Sequence, residues 1–214
     1  MTSVYRTEMD TWQCLVSSED PVCDRDWVFM EWRPDVPLAD TWPDHMYVER
    51  LTRTMDTKTN SWPKGDLFEG PKSTFSLTPE AKLLLEPYLA PLGEFLPVTA
   101  THELWEWGPD QHERIPLTPP EPYWLFHCTH IIDKALDKKR CQNTYRSSVG
   151  GISLAGRYAF REHLIRDEFV FCLPYRHEHR FFITQNFVDL IDTLGLKGPG
   201  LRQLRTVDEP TPTT

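Results

Sequence analysis

The sequence predicts an α+β protein in which a mainly antiparallel β-sheet is covered by one or two helices. Two short aromatic and β-branched runs, residues 169–173 and 181–183, are separated by Pro174 and a polar turn, a pattern typical of a β-hairpin. A helical pattern begins directly after this hairpin. Further upstream, β-rich stretches lie on both sides of one more helical pattern, and this order of elements favours the α+β class.

The hairpin and the helix after it form the unit around which the chain is organised. Thr184 offers a hydroxyl as helix N-cap, and Gly195 supplies a left-handed stop. Between them, apolar residues repeat at helical spacing: Phe187, Leu190, Ile191 and Leu194. Burying such side chains contributes roughly 1.5–3 kcal/mol each, and one hairpin with one helix cannot bury them alone. The upstream residues must therefore supply a larger sheet.

Residues 1–72 are predicted to be an irregular, Trp- and Pro-rich part of the same globule, with strands at 27–32 and 46–51. Five of the eight tryptophans lie here, where large rings can pack over irregular loops. Residues 73–207 are predicted to form the α+β domain. Residues 208–214, with the sequence DEPTPTT, are predicted to be a disordered tail.

A second helix is predicted to begin at Thr78, because this N-cap is followed by Pro79 at the first helical position and by Glu80 in the first turn. Pro87 is expected to end the helix or to let it close in a tight turn. Strands are predicted after it at residues 94–98, 101–107, 123–128 and 152–154. The predicted apolar face of this helix consists of Ala81, Leu84, Leu85 and Tyr88.

The composition is ordinary for a folded protein, since 39% of the 214 residues are apolar and 26% are charged. The sequence contains no apolar run of about 18 residues, and its first twenty residues lack the apolar core of a signal peptide. We therefore expect a cytoplasmic protein. The five cysteines are odd in number and widely spread, which predicts small buried residues and not a disulfide framework.

A search for catalytic motifs finds two histidine clusters. His127, Cys128 and His130 form the first, and His177 and His179 form the second. Four such ligands could in principle hold zinc, but neighbouring side chains on a strand point to opposite faces, so the first cluster does not converge by itself. No Gly-rich phosphate loop and no HExxH pair occurs. We predict no catalytic residues, no metal and no cofactor.

Two weaker candidates for chemistry remain. A nucleophilic cysteine, Cys128 or Cys172, could pair with one of the eight histidines. Asp133 and Asp137, with Glu121 not far away, could act as paired carboxylates, since their four-residue spacing would align the two aspartates on one helical face. A solvated or capping role is the expected one for these carboxylates.

The charge is distributed unevenly along the chain. The net charge is −9 overall, but residues 76–137 carry −7 and residues 138–207 carry +6. Such an acidic surface attracts basic partners and repels nucleic acid. Carboxylates and tryptophans alternate most densely within residues 94–121, where they could grip a basic protein surface. The candidate contact residues are Glu103, Trp105, Glu106, Trp107, Asp110 and Glu113.

Three segments carry a resemblance to a known family. They are FSLTPEAKLLLEPYLAPLGEFLPV, YWLFHCTHIIDKALD, and FVFCLP with FFITQNFVDLIDTLGLKGPGL. In this order they resemble the C-terminal domain of immunity proteins from bacterial polymorphic toxin systems, in particular the group called immunity protein family eleven. The resemblance covers residues 73–205. The chain departs from the family in its Trp-rich start and in Pro199, which interrupts the expected glycine-leucine ending.

The resemblance implies a non-enzymatic protein that binds a cognate toxin, encoded by the adjacent gene, and blocks it without chemistry. The family has no catalytic residues that could be assigned to positions of this chain. Two other classes of function stay open on the residues alone. One is a small metal- or Cys-dependent enzyme built on the histidine clusters, and the other is an adaptor protein with an acidic partner-binding surface.

Overall fold

The computed structural model describes thirteen segments of the chain, and in several of the strands it describes only the path of the backbone. The described residues are 4–7, 12–17, 35–42, 46–52, 66–69, 74–107, 112–116, 120–141, 144–146, 152–154, 158–174, 181–197 and 201–203. None of the helices within these segments has the length and apolarity that crossing a bilayer requires.

The larger sheet has seven strands. In spatial order they are β2 (Trp12–Ser17), β3 (Met46–Thr52), β6 (Gly93–Trp107), β8 (Glu121–Cys128), β5 (Thr74–Leu77) and β4 (Leu67–Glu69), with β7 (His112–Pro116) also paired to β6. Only the β3–β6 pair of this sheet is parallel. The predicted strands at 46–51 and 123–128 are confirmed as β3 and β8.

The second sheet has four antiparallel strands, in the order β11 (Val170–Cys172), β12 (Phe181–Thr184), β1 (Val4–Thr7) and β13 (Leu201–Gln203). The strands β9 (Thr144–Arg146) and β10 (Ile152–Leu154) form a separate antiparallel pair. The predicted hairpin is confirmed, since β11 pairs with β12 and places Phe171 opposite Phe182. The α+β class with mainly antiparallel sheets is therefore correct.

Within the described residues, three α-helices accompany the sheets: α1 (Pro79–Leu89), α2 (Glu162–Ile165) and α3 (Gln185–Thr193). Short 3₁₀ turns lie at Ala39–Thr41 and Ala90–Leu92. The predicted start of α1 is confirmed, because Thr78 Oγ1 accepts a hydrogen bond of 3.2 Å from the backbone N–H of Ala81.

Of the two outcomes expected at Pro87, an end of the helix there is wrong, whereas a close in a tight turn agrees with the 3₁₀ turn at Ala90–Leu92. The helix continues through Pro87 to Leu89. Proline cannot donate to the carbonyl four residues earlier, that of Leu83. Leu83 and Pro87 both lie on the exposed side of the helix, where solvent can satisfy a carbonyl that has lost its helical partner.

The two strands predicted at 94–98 and 101–107 are one strand, β6. Its first part pairs with β8 and its second part with β7, while β3 pairs across the junction from Thr99 to Leu104. Because β3 pairs across the junction, the strand continues where its partner on the other edge changes from β8 to β7. Gly93 opens the strand because a Cβ at this position would overlap the carbonyl oxygen of His127.

The hydroxyl of Thr184 does not have its predicted role. Thr184 is the N-cap residue of α3, but its side chain makes no capping bond. Instead, Oγ1 donates to the carbonyl oxygens of Glu168 and Phe169, which ties β12 to the entry of β11. The predicted stop is confirmed: Gly195 has a φ of 68°. The N–H of Gly195 bonds to Asp192 O, and that of Leu196 to Ile191 O, which is the Schellman pattern.

The main hydrophobic cluster lies between the two sheets and under both long helices. Phe75 is its centre, with ring centroids 5.1 Å from Phe126 on β8 and 5.7 Å from Phe187 on α3. Helix α1 and the β11–β12 hairpin add six fully buried side chains, namely Ala81, Leu85, Leu89, Val170, Cys172 and Ile183. The predicted burial of Cys172 is thereby confirmed.

Two further clusters cover the remaining faces of the sheets. On the other side of β11 and β12, Phe171 and Phe182 pack with Tyr158, Phe160 and Leu136. On the other side of β6 and β8, a cluster of five residues is covered by Leu38 and Trp42 of the segment 35–42. Its members are Leu96, Val98, Ala100, Tyr123 and Leu125.

Strands from residues 1–72 pair directly with strands from residues 73–207. The strand β1 lies between β12 and β13, and β3 lies beside β6. The boundary predicted at residues 72 and 73 is not tested by this pairing and stays a prediction. The strand predicted at 27–32 and the tail predicted at 208–214 lie outside the described residues.

Replacing Phe187 by alanine should reduce the free energy of unfolding by about 3–5 kcal/mol, because its ring is buried in the main cluster. Leu190→Ala should cost less, since Leu190 is only half-buried. Urea unfolding of purified variants measures both effects. Asp192→Ala is the control, because Asp192 is exposed on the same helix and should change stability by no more than about 0.5 kcal/mol. An unchanged unfolding midpoint for Phe187→Ala would contradict the packing of α3.

Candidate functional site

The acidic candidates from the sequence lie on the β6–β7 ladder. Trp105 is opposite Arg114, Glu106 is opposite Glu113, and Trp107 is opposite His112. Asp110 lies outside the described residues. Alternate positions of a strand belong to the same face of a sheet. Five of the six candidates therefore have defined positions, divided between the two faces of this ladder.

The register brings together one pair that is unfavourable for folding. Glu106 and Glu113 occupy directly opposed positions of an antiparallel ladder, and like charges at such positions destabilise a sheet. Glu103, Trp105 and Trp107 occupy the alternate positions of β6 and belong to the other face.

His127 belongs to a group of hydrogen bonds that holds the segment 35–42 against the sheet, and we call this group the clamp. His127 is buried on β8, and its Nδ1 lies 2.8 Å from Oε1 of Glu94, its cross-strand partner on β6. The same carboxylate accepts hydrogen bonds from the backbone N–H groups of Leu38 at 2.6 Å and Ala39 at 2.9 Å. Trp42 Nε1 donates to Pro97 O at 2.8 Å. Together these bonds fasten the segment 35–42 over the sheet.

The clamp also changes the acidity of Glu94. Burial by itself would raise the pKa of the Glu94 carboxyl, but the hydrogen bond with His127 and those from Leu38 and Ala39 outweigh burial and lower this pKa below 4.5. Glu94 therefore stays ionised in the folded protein down to lower pH than an ordinary glutamate.

The remaining members of the first histidine cluster have other partners. His130 Nε2 lies 2.9 Å from Oε2 of Glu168, and the Cys128 thiol lies near the carbonyl oxygen of His130. Across the described ranges, no group of three or more His, Cys, Asp or Glu side chains is placed to hold a metal ion. His177 and His179 lie outside the described residues.

The buried thiols differ from a nucleophilic cysteine. Cys172 donates a hydrogen bond of 3.4 Å to Cys128 O. The hydrogen bond with the Cys128 side chain, followed by burial, raises the pKa of the Cys172 thiol well above its ordinary value. Nucleophilic cysteines need the opposite change, because the thiolate is the reactive form.

The helical alignment that could have paired Asp133 with Asp137 is not formed. Asp133 lies in a turn, and Leu136 forms a β-bridge with Phe160. Asp137 Oδ1 accepts a hydrogen bond of 3.1 Å from the N–H of Lys139. This bond fixes the turn that follows, so Asp137 has the capping role that the sequence also allowed. Both aspartates line a surface depression of about 540 Å³ beside Arg161.

A surface that the sequence did not predict lies on the outer side of α1. Leu83 is 70% exposed, Leu84 42% and Tyr88 39%. Pro87 on the same side is exposed as well. The opposite side of the helix is fully buried in the main cluster through Ala81, Leu85 and Leu89. We call the four exposed apolar residues, Leu83, Leu84, Pro87 and Tyr88, the outer face of α1.

This face departs from the pattern of a surface helix. In α3, Phe187 and Ile191 are buried while Asp189 and Asp192 are exposed, as is usual. Helix α1 contains the charged residues Glu80, Lys82 and Glu86, but its side turned away from the core also carries Leu83, Leu84, Pro87 and Tyr88. A surface helix usually carries polar residues on that side. The structure therefore leaves one apolar side of α1 without a cover among the described residues.

The predicted apolar face of α1 was half correct. Ala81 and Leu85 are buried, but Leu84 and Tyr88 are exposed. The sequence did contain the relevant signal. Successive helical residues are about 100° apart, so the three leucines at positions 83–85 span about 200° and cannot all face the same core.

Comparisons with known proteins give no family assignment. A scan against models of protein families finds no match to this chain, and a search of curated protein sequences finds none either.

We predict that the purified protein carries no stoichiometric zinc, because His127 and His130 of the first cluster are each hydrogen-bonded to a different glutamate. Elemental analysis measures this directly, and a chelator should leave the melting temperature unchanged. One zinc per chain that is lost together with the fold on chelation would contradict the prediction and favour the metal-dependent alternative.

We expect Glu94→Gln to lower the free energy of unfolding by about 1–3 kcal/mol near neutral pH, because it removes the charge that accepts three hydrogen bonds. The pKa of Glu94 is lowered in the folded state, so its contribution is complete above about pH 4.5 and is lost as the pH falls through the folded-state value. The difference between wild type and variant should shrink accordingly in acid.

Urea unfolding at several pH values checks this expectation. Glu80→Gln is the matched control, because Glu80 is exposed at the start of α1. A stability difference for Glu94→Gln that stays constant from neutral pH down to acid would show that the carboxylate does not hold the segment 35–42.

Proposed function

We propose that this chain is an immunity protein, which binds a protein toxin encoded by the adjacent gene and neutralises it in the cytoplasm by direct, non-catalytic binding. The resemblance of residues 73–205 to immunity proteins of polymorphic toxin systems supports this proposal. So does the acidity of residues 76–137, because a charged surface speeds the encounter with a partner of opposite charge.

The outer face of α1 is the observation that carries the proposal. It lies within the segment FSLTPEAKLLLEPYLAPLGEFLPV, one of the stretches on which the resemblance rests. Burial of apolar surface favours association, and binding energy concentrates in a few anchor residues. Leu83, Leu84 and Tyr88 are such groups, already exposed on a helix whose position is fixed.

The β6–β7 ladder is a second candidate contact surface for the toxin. The roles predicted for its residues stay predictions. Trp105 and Trp107 would serve as anchors, and Glu103, Glu106, Asp110 and Glu113 would attract a basic toxin surface. The opposed pair Glu106 and Glu113 supports this role, since two carboxylates at facing positions are relieved when a cationic group binds between them.

The direct test is protection of a bacterial host. Expression of the adjacent gene alone should stop growth, and co-expression of this chain should restore it, because the toxin is held in a complex. The two purified proteins should elute together in size-exclusion chromatography. A toxic neighbour that is neither bound nor neutralised by this chain would contradict the proposed function, and binding of a non-toxic neighbour would favour the adaptor alternative.

The association and dissociation rates of the toxin complex measure what the β6–β7 ladder contributes to binding. Replacing Glu103, Glu106 and Asp110 together should mainly slow association at low salt, because the long-range attraction is lost. Trp107→Ala should mainly speed dissociation and weaken binding about thirtyfold, the equivalent of about 2 kcal/mol. Folded variants with wild-type rates would move this contact away from the ladder.

A further inference from the structure

The two long helices form one layer over the main cluster. The start of α1 and the end of α3 meet at Asp66: Thr78 N–H donates to Asp66 O at 3.0 Å, and Lys197 N–H donates to Asp66 Oδ2 at 2.7 Å. The end of α1 and the start of α3 meet at Phe169. Its ring lies edge-on to that of Tyr88, and its carbonyl accepts from Thr184 N–H at 3.0 Å. The helices therefore run in opposite directions, side by side.

The charges of this layer are almost all negative. Within the two helices, the acidic residues are Glu80, Glu86, Asp189 and Asp192, against the single lysine Lys82. Lys82 is engaged within the fold, since its Nζ lies 2.6 Å from Glu86 Oε1 and 5.0 Å from the centre of the Trp124 ring. The hydrogen bond of 2.8 Å from Gln185 to Asp189 leaves the charge of that aspartate in place.

The Asp66 end of the layer is balanced in charge, and the opposite end is acidic. At the Asp66 end, the exposed Lys197 balances one carboxylate. At the other end, Arg166 stands beside Asp167 and Glu168, and Glu168 is bonded to His130. The outer face of α1 is thus an apolar centre on a helix layer whose charges are predominantly acidic.

This distribution of charge selects among the possible partners. A second copy of the chain would bring two acidic layers together, and like charges across an interface cost several kcal/mol. The anionic surface of a cytoplasmic membrane would be repelled in the same way. A protein surface that places lysine or arginine side chains around an apolar centre fits both features at once.

We infer that the α1–α3 layer docks a protein surface of this kind, with basic side chains around an apolar centre. The outer face of α1 supplies the apolar contact, and the carboxylates of the two helices pair with the basic groups around it. This inference rests on the proposed function only in identifying that surface with part of the toxin.

A fluorescence-anisotropy titration of the full chain tests the inference without the toxin. The probe is a short, labelled, amphipathic helical peptide of leucine and lysine, and the comparison is the same peptide with glutamate in place of lysine. We expect the leucine–lysine peptide to bind at least about tenfold more tightly than the leucine–glutamate peptide, and to bind less tightly as salt rises.

Two variants and one control separate specific docking from general attraction to an acidic protein. Leu83→Ser with Leu84→Ser keeps every charge and should weaken binding of the leucine–lysine peptide at least about tenfold. Glu80→Gln with Asp192→Asn keeps the apolar centre and should weaken it as well. Val36→Ser is the matched control, because Val36 is 38% exposed outside this layer, and it should bind as wild type. All the substituted residues are exposed, so the variants should remain folded.

Wild-type affinity of the Leu83→Ser/Leu84→Ser variant for the peptide, or equal binding of the two peptides, would overturn the inference. The toxin assay then separates this failure from that of the proposed function. Full protection from the neighbouring toxin by the Leu83→Ser/Leu84→Ser variant overturns the inference and leaves the proposed function standing. The expected peptide results without protection by wild type overturn the proposed function and leave the docking surface standing.

Discussion

The packing of Phe75 against Phe126 and Phe187 is the contact on which the rest of the fold depends. Phe75 and Phe126 belong to neighbouring strands of the larger sheet, and Phe187 belongs to the helix that follows the smaller sheet. Phe187 joins α3 to the larger sheet through this contact, and Cys172 on β11 joins the smaller sheet to it through a hydrogen bond to Cys128 O on β8. Phe75 contacts Phe126 of the larger sheet and Phe187 of α3. The three rings therefore fix where the β11–β12 hairpin and both long helices lie.

The same contact explains why α1 presents an apolar surface in a defined place. The buried side of α1 enters the Phe75 cluster, while its start is capped by Thr78 and its end continues into a 3₁₀ turn. The helix can neither roll nor slide without breaking one of these contacts. Leu83 and Leu84 are exposed because the core contacts the side of α1 that carries Leu85.

The fold could be predicted from the sequence wherever local patterns and packing agree. The hairpin, α3 and the start of α1 each carry a periodicity and a cap or stop, and each is present in the structure. The single long strand β6 could not be predicted, because its continuity depends on β3, which pairs with it from far along the chain. Thr184 shows the same limit: its hydroxyl binds carbonyls that only tertiary packing brings within reach.

The site was harder to predict than the fold, since exposure depends on which side of an element the core takes. The charge of the β6–β7 region could be read from composition, but the opposition of Glu106 and Glu113 depends on the register. The histidines looked like metal ligands because they are close in sequence. Strand alternation sends His127 to Glu94, while His130, beyond the end of β8, meets Glu168.

A binding role places a physical demand on this surface that the fold meets. Ordering a flexible segment on association costs about 0.5–1.5 kcal/mol for each immobilised side chain, in addition to the backbone. An anchor on a helix that is packed on one side and fixed at both ends avoids the backbone part of that cost. The fixed position of α1 would thus favour a tight complex, although Leu83 and Leu84 are exposed in the isolated chain.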